Sequence, residues 1–386
     1  MPDAFILGIE SSCDETAAAV VRSGEKLISN VVASQIATHQ PYGGVVPELA
    51  SREHLRAIVP VVRQALAEAQ HTYESVDAIA VTQGPGLAGA LLVGISYAKA
   101  LAFALDKPLI AVNHLEGHIH AVLLEERQKG NHDLRFPVLA LVVSGGHTHL
   151  YLAAEKDGAW TYENIGHTRD DAAGEAFDKV AKLLGLGYPG GPVVDRLATH
   201  GDAKAVKFAP AQIKHPDRRG RNDGRGVPVG SDRPRFDFSY SGIKTAILRY
   251  VESHHLQPAV EARRRALVAI AKPKLEDYLA NCDQLTLDLV ASFQRAIVND
   301  LVTRTLAAAE EYNVATIFVT GGVAANHELR QTFERKAAEQ GRPVYFPSRP
   351  LSTDNAAMIA AAAYPKFLEK DFAALDFSAE AGMILR

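Results

Sequence analysis

One pattern of residues occurs twice in this chain and limits its fold more than any other feature. Residues 5–21, FILGIESSCDETAAAVV, predict an apolar strand, a polar turn and a second apolar strand. Residues 138–154, VLALVVSGGHTHLYLAA, repeat that order about 133 positions later, a spacing typical of one domain. Because helical segments separate the later strands, the pattern predicts an α/β protein with mostly parallel sheets and a duplicated domain.

The domain organisation follows from this repeat and from the length of 386 residues, which suggests two domains. We place the domains at 1–135 and 136–386, and the second contains two probable insertions. Residues 211–235 are rich in Arg, Gly, Pro and Asp without a hydrophobic period, which is typical of a flexible loop. Residues 253–281 carry three consecutive arginines, 263–265, in a predicted amphipathic helix.

The composition excludes several classes of protein. With 41 basic and 45 acidic side chains the net charge is −4, which excludes a globally basic nucleic-acid coat but allows a local basic patch. The two cysteines, Cys13 and Cys282, form no C-x-x-C, so a disulfide framework and a cysteine-based zinc site are excluded. The N-terminus lacks the basic segment of a signal peptide, and no apolar stretch reaches about 18 residues without a break. We therefore expect a cytoplasmic enzyme without a membrane span.

Two histidines with helical spacing are candidate metal ligands. His114 and His118 are four positions apart on a predicted helix, so both imidazoles face the same side. The zinc-protease pattern H-E-x-x-H would need a glutamate at position 115, where Leu115 stands, so a metalloprotease is disfavoured. Spacing alone favours two surface histidines over two metal ligands. Asp354, before the helical run AAMIAAAA, is either a third ligand or an N-cap, and the sequence alone favours the cap.

A glycine-rich turn at 84–89 matches G-x-G-x-x-G between a predicted strand and a predicted helix. This arrangement is typical of dinucleotide-binding loops, in which an acidic residue follows about 20 positions later. Asp106 stands at that distance, but it ends a helix rather than a strand, and Pro85 changes the turn geometry. A tight turn with close packing between helix and strand is the favoured interpretation.

Three polar turns follow predicted strands, and together they indicate a ligand site between two domains. They are SSCDET at 11–16, VSGGHT at 143–148 and TGGVAAN at 320–326. Glycines in the last two turns allow a ligand to approach the backbone, whose amides can hold an anion. A P-loop motif is absent from the sequence, and GLGYPGG at 185–191 predicts a loop that could contact a sugar or a purine.

The motifs together resemble one family closely. They are GIESSCDETAAAVV, QIATHQPYGGVVPELASREH, TQGPGLAGALLVG, NHLEGHIHA, LVVSGGHTHL, DDAAGEAFDKVAKLLGLGYPGGPVVDRLA, DFSYSGIKTA, VTGGVAAN and STDNAAMIA. In this order they are similar to the bacterial branch of the tRNA N6-adenosine threonylcarbamoyltransferases, formerly described as O-sialoglycoprotein endopeptidases. The resemblance covers the chain apart from the two insertions.

The resemblance implies an actin-like, sugar-kinase-like ATPase fold with two related α/β domains and a ligand cleft between them. It implies that His114, His118 and Asp354 bind one divalent metal ion, usually iron(II), with zinc or another divalent ion as alternatives. It also implies the substrate-binding residues of this chain. These are Val142, Val143, Ser144, Gly145, Gly146, Asp178, Gly191, Asp195 and Asn326.

The function implied by the resemblance is transfer of a threonylcarbamoyl group from threonylcarbamoyl-AMP to N6 of adenosine-37 in tRNA, with release of AMP. A paralogous subunit of the same fold and a small ATPase are the implied partners. Glu10 and Asp14, at the end of the first strand, are candidate catalytic residues, although both can simply form hydrogen bonds within a turn. Two other functions remain open: a small-molecule kinase of the same fold and a non-catalytic scaffold subunit.

A tRNA surface needs local basic groups, because the net charge of the chain is negative. Segment 211–235 contains seven basic and three acidic side chains. It is therefore a candidate extension of the tRNA surface. A solubilising loop is the alternative, since runs of charge are often only that.

Overall fold

The computed structural model describes residues 3–156, 158–209, 213 and 236–386. The insertion predicted at 211–235 therefore lies outside the described residues, apart from Ile213. The described chain contains two mixed five-stranded sheets with helices on their faces.

The first sheet contains strands from the N-terminal part of the chain. These are β1 (Phe5–Glu10), β2 (Glu15–Arg22), β3 (Lys26–Ser34), β4 (Ala78–Gly84) and β5 (Leu109–Asn113). Their order across the sheet is β3-β2-β1-β4-β5. Strand β2 is antiparallel to β1 and β3, whereas β1, β4 and β5 are parallel. The carboxyl ends of the three parallel strands therefore lie at one edge of the sheet.

The second sheet has the same construction. Its strands are β6 (Val138–Val143), β7 (Thr148–Lys156), β8 (Ala159–His167), β9 (Thr316–Thr320) and β10 (Val344–Tyr345). Their order is β10-β9-β6-β7-β8, with β7 antiparallel to β6 and β8, and with β6, β9 and β10 parallel. Each strand thus corresponds to one of the first sheet in order and direction. The duplicated α/β fold predicted from the repeat is confirmed. The sheets are mixed rather than mostly parallel, because two of the four strand pairs in each sheet are antiparallel.

Helices cover both sheets. They are α1 (Ile36–His39), α2 (Pro47–Ala69), α3 (Ala88–Leu105), α4 (His114–Gln128), α5 (Ala173–Leu183), α6 (Gly190–Ala198), α7 (Ser241–Ser253), α8 (Gln257–Val268), α9 (Leu275–Ala280), α10 (Gln284–Glu311), α11 (His327–Glu339), α12 (Arg349–Ser352) and α13 (Ala356–Glu369). Short 3-10 turns occupy Gln40–Tyr42 and Gly322–Ala325. Helix α2 begins at Pro47, a residue that suits the first helical position.

Helix α13 comes from the end of the chain but packs on the first sheet. It contacts β1, β2, β4 and β5 and lies against α4. Its alanines, from Ala356 to Ala363, are buried and allow the helix to approach the strands closely. A division of domains at 135/136 remains a prediction, and the packing layer of the first sheet includes residues from far beyond that position.

Helix α3 is long and apolar enough to cross a membrane by length and composition. It is the one helix of this kind among the described residues. In the structure it packs against α2 and β4, and 33% of its residues are buried. Length and apolar composition alone are therefore weak evidence that α3 spans a membrane.

The predicted helix within 253–281 is confirmed as α8, which is followed by the short α9. The three arginines of this helix differ in environment. Arg263 has an exposure of 2%, whereas Arg264 and Arg265 are exposed.

A candidate metal centre and substrate cleft

The start of α4 places two histidines at the edge of the first sheet. Strand β5 ends at Asn113, whose side-chain oxygen accepts a hydrogen bond of 2.9 Å from the amide of Leu115 and so caps the helix. His114 is consequently the first helical residue, and His118 lies one turn later on the same side. Both side chains are buried, and their rings lie 4.8 Å apart in an edge-to-face arrangement.

Asp354 completes the cluster from the far end of the chain. The N-cap of α13 is Asn355, whose oxygen accepts a hydrogen bond from Met358, so the interpretation of Asp354 as the cap is wrong. Instead, Oδ1 of Asp354 lies 3.6 Å from Nε2 of His114 and 3.3 Å from Nε2 of His118. Burial alone would raise the pKa of Asp354, but the two histidines lower it. The carboxyl group is therefore an ionised ligand candidate.

The three side chains fit a divalent metal ion. Their ligand atoms all lie within 4.8 Å of one another. Ligands bound at about 2.0–2.2 Å to one ion are about 3–3.5 Å apart when they occupy neighbouring corners of its coordination shell. Within the described part of the chain, neither ring nitrogen of His118 makes a hydrogen bond, although both are buried. A metal ion would satisfy such an imidazole, since two nitrogens and one carboxylate oxygen are a common set for iron or zinc.

Glu10 fixes the orientation of His114. Its carboxylate is fully buried at the end of β1, and Oε2 lies 3.1 Å from Nδ1 of His114. Thr82 donates a hydrogen bond of 2.7 Å to the same oxygen, and the amide of Ser12 donates to the other at 2.5 Å. Burial lowers the pKa of His114, but Asp354 and Glu10 together raise it to about 9. With Nδ1 donating to Glu10, Nε2 points at the cluster as a metal ligand requires.

Five of the predicted substrate-binding residues lie at the end of β6 and in the turn that follows it. Val142 and Val143 are fully buried in the strand, and Ser144 is nearly so. Gly145 and Gly146 are exposed, and a Cβ atom built on either would meet nothing within 4 Å. The backbone of this turn is thus open to a ligand, as predicted from the glycines. Its direct contact with substrate remains a prediction.

Asp178 lies in α5, and Gly191 lies in the first turn of α6, beyond the loop that joins the two helices. Oδ1 of Asp178 accepts a hydrogen bond of 2.7 Å from the amide of Gly190, which begins α6. Burial raises the pKa of Asp178 to about 6 even though the loop amides lower it. From the same loop, the hydroxyl of Tyr188 donates to Asp14 at 3.5 Å. The polar turn of the first sheet therefore faces the glycine loop beside the second sheet.

Asp195 and Asn326 meet at the start of α11. Both carboxylate oxygens of Asp195 accept from the amide of His327, at 3.2 and 3.1 Å. Asn326 caps the helix by accepting from Leu329, and its amide group donates to Gln294 at 2.8 Å. Their polar atoms thus hold protein elements together, while their contact with substrate stays a prediction.

Comparisons with known proteins agree on one family. The profile of the tRNA N6-adenosine threonylcarbamoyltransferase family matches residues 26–361. A protein of that name from Koribacter versatilis (strain Ellin345) is 71% identical over 386 residues, the full length of both chains. The chain belongs to this transferase family. Another member, from Syntrophobacter fumaroxidans (strain DSM 10017 / MPOB), is 51% identical over 368 residues and covers 95% of this chain and 96% of its own.

The fold of the transferase also has a solved counterpart. Full-length HypF, in its phosphate- and nucleotide-bound form, covers 95% of this chain and 47% of its own, with a TM-score of 0.54. The two sequences are 14% identical, so the similarity concerns the fold alone. The predicted actin-like, sugar-kinase-like α/β fold is confirmed, and the family confirms the predicted enzyme class, a transferase that acts on tRNA.

The G-x-G-x-x-G turn of the transferase is filled by its own chain. A Cβ atom at Gly84 would overlap the carbonyl oxygen of Glu380, and one at Gly86 would overlap that of Ser12. The C-terminal segment is held there by the amide of Glu380, which donates to Gln83, and by the amide of Gly86, which donates to Ala381. The glycines are explained by close packing, which supports the favoured interpretation as a tight turn.

His147, to which no motif assigned a role, lies beside the metal cluster in the structure. Two hydrogen bonds close its turn, from the amide of Ser144 to the carbonyl of His147 at 2.8 Å and from the amide of His147 to the hydroxyl of Ser144 at 3.2 Å. The ring then lies 6.1 Å from that of His114. Burial lowers the pKa of His147 to about 3, so the imidazole is neutral. Its place in a polar strand-end turn was the available signal.

Glu116, the acidic residue between the two metal-site histidines, faces away from them. The hydroxyl of Tyr162 donates to it at 3.3 Å, and Nζ of Lys366 lies 3.4 Å from its other oxygen. His120 joins this group through a hydrogen bond of 2.9 Å with Tyr162. No general base of the zinc-protease kind is therefore supplied by Glu116.

Proposed function

We propose that the protein transfers the threonylcarbamoyl group of threonylcarbamoyl-AMP to N6 of adenosine-37, in tRNAs that read codons beginning with adenine. The products are threonylcarbamoyladenosine and AMP. The observation that carries this proposal is the cluster of His114, His118 and Asp354, in which a buried imidazole has no hydrogen bond among the described residues. Family membership supports the same reaction.

The chemical difficulty is the weak nucleophile. The lone pair of the adenine amine is delocalised into the ring, so the enzyme must hold amine and carbonyl in line and make the carbonyl more electrophilic. A divalent ion, which we propose to be iron(II), would supply Lewis acidity toward the substrate oxygens when held by the three ligands. Because the phosphate of AMP is a good leaving group, little acid catalysis is needed.

The residues of the chain have separate tasks in this proposal. Glu10 orients His114, a role that its contacts favour over that of a general base. The open amides of Gly145 and Gly146 bind the acyl or phosphate oxygens, and Asp178 with Gly191 bind the nucleotide part of the substrate. Asp14 remains a candidate for proton transfer. Adenosine-37 lies in the anticodon loop, where a base can be turned outward without melting a duplex.

A nucleoside assay tests the function. The protein and its proposed partners are mixed with threonylcarbamoyl-AMP and unmodified tRNA, and digested nucleosides are analysed by mass spectrometry. We expect threonylcarbamoyladenosine from the native protein and none from H114A. H120Q is the control and should form the product, because His120 bonds to Tyr162 rather than facing the metal cluster. Absence of product from the native protein, while a known transferase works in the same mixture, would contradict the proposal. Phosphoryl transfer from ATP to a small acceptor would instead support a kinase.

The proposed partners are a paralogous subunit of the same fold and a small ATPase, and the proposed compartment is the cytoplasm. Helices α2 and α3 expose Leu55, Leu92 and Phe103 with 66%, 51% and 78% exposure, an apolar surface that a partner would remove from water. Co-purification of the protein with each candidate partner, compared between the native chain and F103E, measures this association. Equal recovery of the partner with the native chain and with F103E would show that the partner does not bind this surface.

A further inference from the structure

Arg263 of α8 is a buried cation that joins three helix ends. Its Nη1 donates to the carbonyl of Leu184 at 2.6 Å, its Nε to the carbonyl of Asn281 at 3.0 Å, and its Nη2 to the hydroxyl of Thr286 at 2.8 Å. Leu184 follows α5, Asn281 follows α9, and Thr286 lies in the first turn of α10. Carbonyls at helix ends lack partners within their helix, so one guanidinium satisfies two of them.

A buried arginine of this kind is costly unless its geometry is exact. A guanidinium stays protonated, and moving it out of water is repaid only by well-formed hydrogen bonds. None of the three partners in these hydrogen bonds is a carboxylate. Asp283, the N-cap of α10, supplies nearby negative charge: burial raises its pKa, but hydrogen bonds from Thr286 and the charge of Arg263 lower it. The site is therefore built for a guanidinium.

One of the two carbonyls that accept from Arg263, that of Leu184, begins the glycine loop, residues 184–191. Gly185 has a φ of +74°, and a Cβ atom there would overlap the carbonyl of Val260 in α8, so the loop lies directly on this helix. The other end of the loop reaches Asp178 through the amide of Gly190. Arg263 and Asp178 thus hold the loop at its two ends.

Helix α9 supports the neighbouring helix α6 in a similar way. The guanidinium of Arg196 lies 6.0 Å from the ring centre of Tyr278, which has an exposure of 7%. Arg196 directly follows Asp195, another residue proposed to bind substrate. The segment regarded as an insertion therefore contacts both elements that carry Asp178, Gly191 and Asp195.

We propose that Arg263 is a positioning residue for the glycine loop 184–191, and that α8 and α9 together hold this loop in place. The identity of the substrate, threonylcarbamoyl-AMP, rests on the function proposed above. The positioning itself does not, because it concerns the order of the loop. Loss of the guanidinium frees the start of the loop from α8 while leaving the metal cluster intact.

The chain offers a matched control next to Arg263. Arg264 lies on the same helix and is exposed, so R264M removes the same charge without touching the loop. The test compares R263M, R263K and R264M by hydrogen–deuterium exchange of peptides that cover 184–191. We expect exchange at least 10-fold faster in R263M, an intermediate increase in R263K and no change in R264M. T286V replaces R263M in the test if R263M does not fold. It removes one hydrogen-bond partner of Arg263 while keeping side-chain shape, and we expect a smaller increase in the exchange rate.

Steady-state kinetics and binding of AMP complete the test. For R263M we expect the KM for threonylcarbamoyl-AMP to rise at least 10-fold with kcat within about threefold of native, and metal content to stay the same. Loss of folded protein alone would lower kcat without changing KM. The proposal would be overturned if residues 184–191 exchanged at the rate of the native protein in all three variants, R263M, R263K and T286V. If residues 184–191 exchange faster in R263M but the native protein does not bind AMP, the positioning role of Arg263 is supported and the proposed function is contradicted.

Discussion

Nε2 of His118 lies 3.3 Å from Oδ1 of Asp354, although one residue follows the first sheet and the other precedes the last helix. The pairing depends on α13 packing beside α4, which brings two distant segments of the chain together. A metal ion at this point would therefore connect segments that are remote in sequence. Its removal should affect the stability of the fold as well as the chemistry.

Replacement of His118 by alanine should abolish metal binding. The variant loses one of three ligands, and its neighbours on α4, Glu116 and His120, cannot substitute because both face Tyr162. Metal content after loading with iron(II) or zinc under anaerobic conditions is measured by mass spectrometry. We expect about one ion per chain for the native protein and for the control H120Q, and a tenth or less for H118A. Equal metal content in H118A would show that the ion binds elsewhere.

Replacement of Glu10 by glutamine should weaken metal binding without removing it. The amide keeps the size of the side chain but no longer accepts from His114 as a charged group, so the imidazole is a weaker ligand. Changes of this kind typically lower metal affinity by about 10–100-fold. Competition with a chelator measures the affinity. E116Q, a buried glutamate on the same helix as His114, is the control and should bind as the native protein does.

The pKa of Asp178, raised to about 6, gives a pH dependence that can be measured. The folded protein holds the proton more tightly than the unfolded chain, so ionisation costs stability as pH rises from about 4 to 6.5. D178N stays neutral and avoids this cost. Its stability relative to native should increase over that range by about 1–3 kcal/mol, as followed by urea unfolding at each pH. A constant difference from pH 4 to 7 would contradict the raised pKa.

Replacement of Gly84 by alanine should destabilise the protein by about 1–3 kcal/mol, the usual cost of overpacking a filled site. The added methyl group would overlap the backbone carbonyl of Glu380, which cannot rotate away. G242A is the control, because a Cβ at Gly242 meets nothing within 4 Å in the first turn of α7. Thermal unfolding measures both. Native stability in G84A would mean that the C-terminal segment is not held on this turn.

Deletion of residues 214–231 should reduce the salt dependence of tRNA binding. The deletion removes Lys214, Arg218, Arg219, Arg221 and Arg225 together with Asp217 and Asp223. For every phosphate of the tRNA that these side chains neutralise, the slope of log K against log salt should become shallower by about 0.7–0.9. The slope is measured from binding titrations at several salt concentrations. An unchanged slope would favour a solubilising role for this segment.

The duplicated fold could be predicted because strand patterning and polar turns are local properties of the sequence. The repeated strand–turn–strand units correspond to two matching sheets, and the spacing of His114 and His118 identified two candidate metal ligands that lie together in the structure. Asp354 could not be assigned by spacing, since its role depends on packing between distant helices. There the resemblance to a family was necessary.

The roles of other residues depend on tertiary contacts that no local pattern encodes. The sequence places three consecutive arginines in one amphipathic helix without distinguishing among them, yet Arg263 is buried because three helix ends converge on it. Glu10 and Asp14 are close in sequence, but the first faces His114 and the second faces Tyr188. The glycines at 84 and 86 suggested a ligand, whereas the backbone near them is that of Glu380 and Ser12.

The packing of α13 on the first sheet also determines when that sheet can be completed on the ribosome. Its last strand, β5, ends at residue 113, while α13 ends at residue 369. At translation rates of about 5–20 residues per second, roughly 13–50 seconds separate the synthesis of these two elements. Throughout that time the apolar strand face that α13 covers lacks its final partner. We therefore expect this apolar face of the nascent chain to stay uncovered until α13 has been synthesised.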